Sequence, residues 1–189
     1  MSPGTSLGVA FLLCAPLLFH TQGCGPAREV SAPTLSASYV TSKDGGFSYR
    51  LPTGWFDASA DSQARGHAAL LIRNDYRATI AIDEVRLDDA AKLELRRNGL
   101  VPVAQLLLSL TSWEQNAVLA IPPQLLQVGN RSACRYRTIS GSGGDMADVT
   151  LVEGREKLYT IRILISGKSA QDEEALQLVQ EAFLGTVRW

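Results

Sequence analysis

The sequence predicts an α+β protein: a central antiparallel sheet covered by helices on both faces. Three observations predict it. Strand-like segments come first, two helical segments follow, and a second run of strands ends in one more helix. Short turns rich in Gly, Asn and Asp separate the strand candidates, and such turns join antiparallel neighbours. The last strand candidate has Tyr159, Ile161, Ile163 and Ile165 on one face and Leu158 and Leu164 on the other, so neither side is polar enough to face water alone.

The chain opens with an uncharged block, "LGVAFLLCAPLLF", at residues 7–19. As a helix it would reach ~20 Å at ~1.5 Å per residue, short of a ~30 Å hydrocarbon core, and Pro16 interrupts it. A signal-peptide h-region fits better than a membrane span. "HTQGC" then resembles a lipobox, in which small Gly23 admits the peptidase and the Cys24 thiol takes the lipid. Thr21 stands where that pattern usually has leucine, and "MSPGTS" carries no Lys or Arg. The competing reading is plain secretion with cleavage after Ala27. From Gly25 to Ser38 the Pro, Ser, Thr and Ala content is too poor in apolar surface to fold, as in a tether. The expected organisation is a lipoprotein-type signal peptide at 1–23, a flexible tether at 24–38 and a single domain at 39–189.

"SYVTSKDGGFSYRL" reads as a hairpin turning at Asp44-Gly45-Gly46, with Phe47, Tyr49 and Leu51 along one strand face. "PTGW" ends that strand, and 57–67 is loop-like. "AALLIRN" and "RATIAIDEVRL" follow as strands around Asn74-Asp75. Asp88 caps a helix that Asn98-Gly99 closes. Val103, Leu106, Leu107, Leu110 and Trp113 then define one apolar face of a second helix. Pro122-Pro123 separates the helices from a meander of "QLLQV", "RSACRYRTIS", "MADVTLV" and "KLYTIRILIS". The closing helix spans about 170–184, with Ser169 and Asp172 as a capping box and Ala175, Leu178, Val179, Ala182 and Phe183 as its buried stripe.

"GFSYRLPTGWF" (46–56) and "GREKLYTIRILISGKSAQDEEALQLVQEAFLGTVRW" (154–189) resemble the opening strand with its aromatic turn, and the closing strand and helix, of PsbP-like proteins. The resemblance covers the domain from Tyr39 and consists of hydrophobic patterns, not chemistry. It implies an α/β/α sandwich and no enzyme activity. Relatives in that group are binding or assembly factors, among them photosystem extrinsic subunits, a nuclear-import factor that binds a small GTPase, and DcrB-like bacterial lipoproteins. No plastid-type transit peptide or matching metal-ligand motif accompanies it, so the fold transfers and the photosystem role does not.

Composition narrows the chemistry. A net charge of -1 and a pI near 6.1 argue against nucleic acid as a partner. Cys14, Cys24 and Cys134 are the only cysteines. With Cys14 lost and Cys24 lipidated, Cys134 has no bonding partner. A 24–134 disulfide requires an unlipidated Cys24 in an oxidising compartment. His20 lies in the leader, which leaves His67 as the one histidine for nucleophilic catalysis, with no G-x-S-x-G elbow beside it. "GKS" at 167–169 mimics the end of a P-loop, but the earlier glycine would fall at Arg162. Asp83, Glu84, Asp88 and Asp89 lack the glycine and terminal glutamate of an EF-hand. "NRS" at 130–132 fits a glycosylation pattern that a bacterial lipoprotein would not use. No metal site and no cofactor are expected. Arg131, Arg135 and Arg137 share a parity on one strand, so they should project from one face and could grip a phosphate or carboxylate. Solvated stems over apolar surface are the plainer reading.

The expected function is a membrane-tethered, non-enzymatic binding or assembly module. It would be held by an N-terminal lipid on the periplasmic side of a bacterial envelope, with a protein partner there. The alternatives are an envelope hydrolase using His67 and a small-ligand carrier with its site between sheet and helices.

Overall fold

The computed structural model describes residues 33–140, 144–155, 157–166 and 170–189. The leader, Cys24 and most of the expected tether lie outside these residues, as does Ser169 of the expected capping box.

Two antiparallel sheets are present. β1 (Leu35–Thr41) and β2 (Ser48–Pro52) pair only with each other. β3 (Trp55–Asp57), β4 (Ala69–Arg73), β5 (Ala78–Val85), β6 (Ala117–Val128), β7 (Arg131–Ser140), β8 (Met146–Glu153) and β9 (Leu158–Ile165) form a seven-stranded sheet in the order β3-β4-β5-β9-β8-β7-β6. Every neighbouring pair in it is antiparallel. The expected meander is its β6-to-β9 half, and β9 returns to pair with β5. Helices α1 (Asp89–Asn98) and α2 (Leu100–Gln115) carry the chain from β5 to the far edge at β6, and α3 (Ala170–Leu184) follows β9.

Local chemistry explains several boundaries. Asp88 accepts the Ala91 N–H at 2.7 Å and so caps α1. Gly99, at φ 78°, ends it by donating to the Leu95 carbonyl. β1 begins at Leu35, inside the stretch assigned to the tether. Its polar composition hides a strand because β2 supplies the partners: Leu51 N–H donates to Ser36 Oγ at 3.0 Å, and Thr53 N–H donates to Thr34 O at 2.8 Å.

Two further expectations are corrected. Pro122-Pro123 does not separate helix from meander; β6 runs through both prolines. As the edge strand it can forgo their missing N–H groups, and the pairing slips between Leu119 and Ile121 and again between Ile121 and Gln124. α2 buries Leu100, Val103 and Ala104, whereas Leu106 and Leu110 are 49% and 56% exposed. The helix is apolar around most of its circumference, so periodicity alone does not choose which side faces inward.

The core falls into two clusters that draw on opposite parities of β9. One joins Ile80, Ile82, Tyr159, Ile161 and Ile163 to Leu176, Phe183 and Leu184 of α3. The other joins Cys134, Tyr136, Leu151 and Leu158 to Leu100, Val103 and Ala104 of α2. On α3 the buried stripe is Leu176, Gln180, Phe183 and Leu184; of the expected set only Phe183 is fully buried. Gln180 is polar, so a hydrophobic pattern does not mark it as buried. At the β1–β2 turn, Gly46 lies so close to Tyr159 that any Cβ would collide with the phenol oxygen.

Candidate functional site

The three arginines singled out from sequence do not act as one free group. Asp148, directly across the hairpin from Arg137, is almost fully buried. Its carboxylate accepts two bonds from Arg137, Nε at 3.1 Å and a terminal nitrogen at 2.6 Å, in the paired geometry that suits guanidinium and carboxylate. Arg135 donates to the same carboxylate at 3.2 Å and to Gln180 Oε1 at 2.6 Å. Gln180 in turn donates to Thr150 Oγ1 at 3.4 Å. This is an internal network that pins α3 to β7 and β8. Asp148, Gln180 and Thr150 escaped the sequence reading, although the Asp148 pairing was recoverable: register across the Gly-rich turn sets it opposite Arg137. Arg131 stays apart from the network. Its Nε is enclosed without a hydrogen-bond partner among the described residues.

His67 lies in the loop before β4, half-buried, with Nδ1 against Asp83 Oδ1. Asp83 Oδ2 accepts from Arg162 at 3.0 Å. An orienting carboxylate is therefore present, but among the described residues no hydroxyl or thiol is hydrogen-bonded to the imidazole. The three cavities described here do not take in His67. No group of His, Cys, Asp and Glu among the described residues is arranged to hold a metal ion. Cys134 is fully buried, and burial pushes its thiol up from its ordinary value, which disfavours the nucleophilic thiolate.

A cavity of about 320 Å³ lies between the sheet and α2, lined by Leu107, Tyr136, Thr138, Val149, Thr160 and Arg162 among others. Burial pushes the Tyr136 phenol up to about 12 against the opposing charge of Arg162, so it remains a neutral donor.

Exposed apolar side chains line α2 and the β6 edge on both faces of the sheet: Val118 and Ile121 pair with Ile139 and Arg137 on the α3 side, whereas Leu119 and Leu125 pair with Thr138 and Cys134 on the α2 side. Leu106 and Leu110 on α2, Val118, Leu119, Ile121 and Leu125 on β6, and Ile139 on β7 make up most of the large hydrophobic side chains left in solvent. Val118 and Ile139 are direct cross-strand partners. β6 is the sheet's edge, so its outer backbone groups have no strand beside them. Among the described residues no helix is long and apolar enough to cross a membrane.

No protein-family model and no curated protein matches the chain. Solved structures do. The chain is similar to cyanobacterial PsbP (CyanoP) from Synechocystis sp. PCC 6803, with 13% identity and a TM-score of 0.55 over 87% of this chain and 98% of that one. It is also similar to the Ran-binding protein Mog1p of Saccharomyces cerevisiae, with 12% identity and a TM-score of 0.53 over 82% of this chain and 96% of that one. At these identities the likeness is one of fold: the chain has the PsbP-like fold that its opening and closing segments resemble.

Proposed function

We propose that this chain is a membrane-tethered, non-enzymatic binding or assembly module of the bacterial cell envelope, its domain held near the membrane by a lipid on Cys24. We further infer that its sheet is the middle layer of an α/β/α sandwich. The observation that carries the binding role is the apolar region on α2 and β6. Leu106, Leu110, Leu119 and Leu125 leave large aliphatic side chains exposed on the α2 side of the β6 edge, and a partner would cover them. A protein partner is the occupant that suits both features present: apolar side chains for burial and an unpaired strand edge for backbone hydrogen bonds. Mog1p, which has this fold, is itself a Ran-binding protein. The envelope address is supported by the uncharged leader and by the Gly23-Cys24 junction.

Two experiments test the two halves. Cys24→Ala should move the protein from the membrane fraction to the soluble one; persistence on the membrane would refute the tether. Crosslinking in intact cells, followed by affinity purification, should recover one reproducible partner with the native chain. That partner should be lost with Leu106→Gln/Leu110→Gln/Leu125→Gln, whose sites are exposed and tolerate the change. Undiminished recovery with this variant would remove the surface from the argument.

A second reading is the small-ligand carrier, favoured by the 320 Å³ cavity under α2 with its Tyr136, Thr160 and Arg162 lining. Ligand-dependent stabilisation that Leu107→Trp abolishes would support it.

A further inference from the structure

Among the described residues, one end of the seven-stranded sheet gathers more cations than carboxylates. β5, β9 and β8 finish there together: Val85 is opposite Leu158, and Leu158 is opposite Glu153. α1 and the start of β7 reach the same end and complete a cleft of about 590 Å³. Arg86, Lys92, Arg96, Arg131, Arg155 and Lys157 line it, against the carboxylates of Glu84 and Glu153. Lys157 is already engaged, at 2.8 Å from Glu84 and 3.2 Å from Asp44. Arg86, Arg96, Arg131 and Arg155 enter no ion pair among the described residues. Arg131 lines the cleft, and its Nε is enclosed without a hydrogen-bond partner among the described residues.

Like charges lining one cleft repel, and an anion between them removes that repulsion. Guanidinium groups present a planar fork that fits phosphate or carboxylate oxygens. Four forks without an ion pair among the described residues are more than one carboxylate can satisfy, whereas a phosphate carries up to two charges and several acceptor oxygens. The cleft has the size of a small-molecule site, not of an extended groove. We propose that this cleft binds a phosphate-bearing anion of small-molecule size, either a free phosphorylated compound or the headgroup of an anionic lipid. The site is separate from the apolar region on α2 and β6. It keeps one of the three arginines singled out from sequence and replaces the other two, which Asp148 engages.

The test uses the full chain with Cys24→Ala, so that a lipid anchor does not mask weaker binding. Pyrophosphate is titrated calorimetrically at pH 7 and low salt. In parallel, co-sedimentation is measured with phosphatidylcholine vesicles, with and without phosphatidylglycerol. The cleft variant is Arg96→Gln/Arg131→Gln. A charge-matched control, Arg73→Gln/Arg77→Gln, sits at the β4–β5 turn. Far-UV circular dichroism and the unfolding midpoint confirm folding. Arg96 is exposed, so Arg96→Gln alone serves if the double variant fails to fold.

Binding of pyrophosphate that weakens at least tenfold in the cleft variant and not in the control supports the site with a free phosphate as ligand. Phosphatidylglycerol-dependent sedimentation, lost in the same selective way, identifies a lipid headgroup. Absence of binding to both probes overturns the proposal. Equal losses in cleft and control variants overturn it too, because they mark general surface charge. Neither outcome touches partner capture through α2 and β6, which is read by crosslinking.

Discussion

Two guanidiniums and, through Arg135, the α3 amide Gln180 depend on the Asp148 carboxylate. Removing it takes from Arg135 and Arg137 the carboxylate they share. Loss of one partner from a buried pair costs about 3–5 kcal/mol, and both arginines keep some solvent contact. Asp148→Ala should therefore cost about 3 kcal/mol, measured as a drop in the urea midpoint at constant m. A loss under ~1 kcal/mol would mean that the network is ornamental. Cys134 offers a second test at this scale. Its thiol is enclosed by the α2 cluster, so it should resist alkylation in the native protein and react fully in denaturant. Rapid labelling without denaturant would show that α2 opens. Parity along β7 was readable from the sequence, and so was the alignment of the three arginines. Their pairing with Asp148 was not, because a like-facing acid on the next strand becomes visible only once register is fixed.

At the scale of elements, legibility followed locality. The Asp88 cap, the Gly99 stop and the Gly129-Asn130 turn are decided within a few residues, and they lie where the sequence places them. Choices made by distant packing were not legible: which side of α2 faces in, whether the double proline breaks β6, and that β9 returns to β5. α3 shows the difference well. Its stripe was assigned by hydrophobicity to Ala175, Leu178, Val179, Ala182 and Phe183, yet the polar network selects Gln180 and rotates the helix so that Leu176 and Leu184 point inward. Leu176→Ala should cost about 2–5 kcal/mol, as buried leucine truncations do. Leu178→Ala should cost well under half of that, since its side chain is only partly covered. Equal losses in thermal or urea unfolding would restore the stripe read from sequence. The candidate functional surface was illegible for the same reason: Leu106 and Leu110 read as core until the fold turned them outward.

At the scale of the whole molecule, the small β1–β2 sheet must be coupled to the large one, and Asp44 is one place where this happens, beside the Tyr49–Asp57 and Lys43–Ala68 bonds. From the turn between β1 and β2 its carboxylate accepts from Ser42 Oγ at 2.7 Å and from the Gly46 N–H at 3.1 Å. From β9 and its preceding turn it accepts from Tyr159 Oη at 2.7 Å and Lys157 Nζ at 3.2 Å. Burial by itself would raise the Asp44 pKa, but these four donors outweigh it and hold the carboxyl well below the usual carboxylate range. A folded-state pKa below the unfolded one, about 3.9 for Asp, means the ionised form is the one that stabilises. That contribution is complete above the unfolded value and is lost as pH falls through about 4 toward the folded value. Other carboxylates titrate in the same window, so the difference between native chain and variant isolates this one. Asp44→Asn should lower the urea midpoint at pH 6, where the native carboxylate is ionised. The gap between the two proteins should narrow steadily below pH 4, because the native group gains the proton that the amide mimics. A gap that stays constant from pH 6 to pH 2.5 would mean that the charge of Asp44 does not join the two sheets. The coupling would then rest on the Tyr49–Asp57 and Lys43–Ala68 bonds and on Phe47, Tyr159 and Trp189, whose rings pack together at centroid distances of 5.3–5.4 Å.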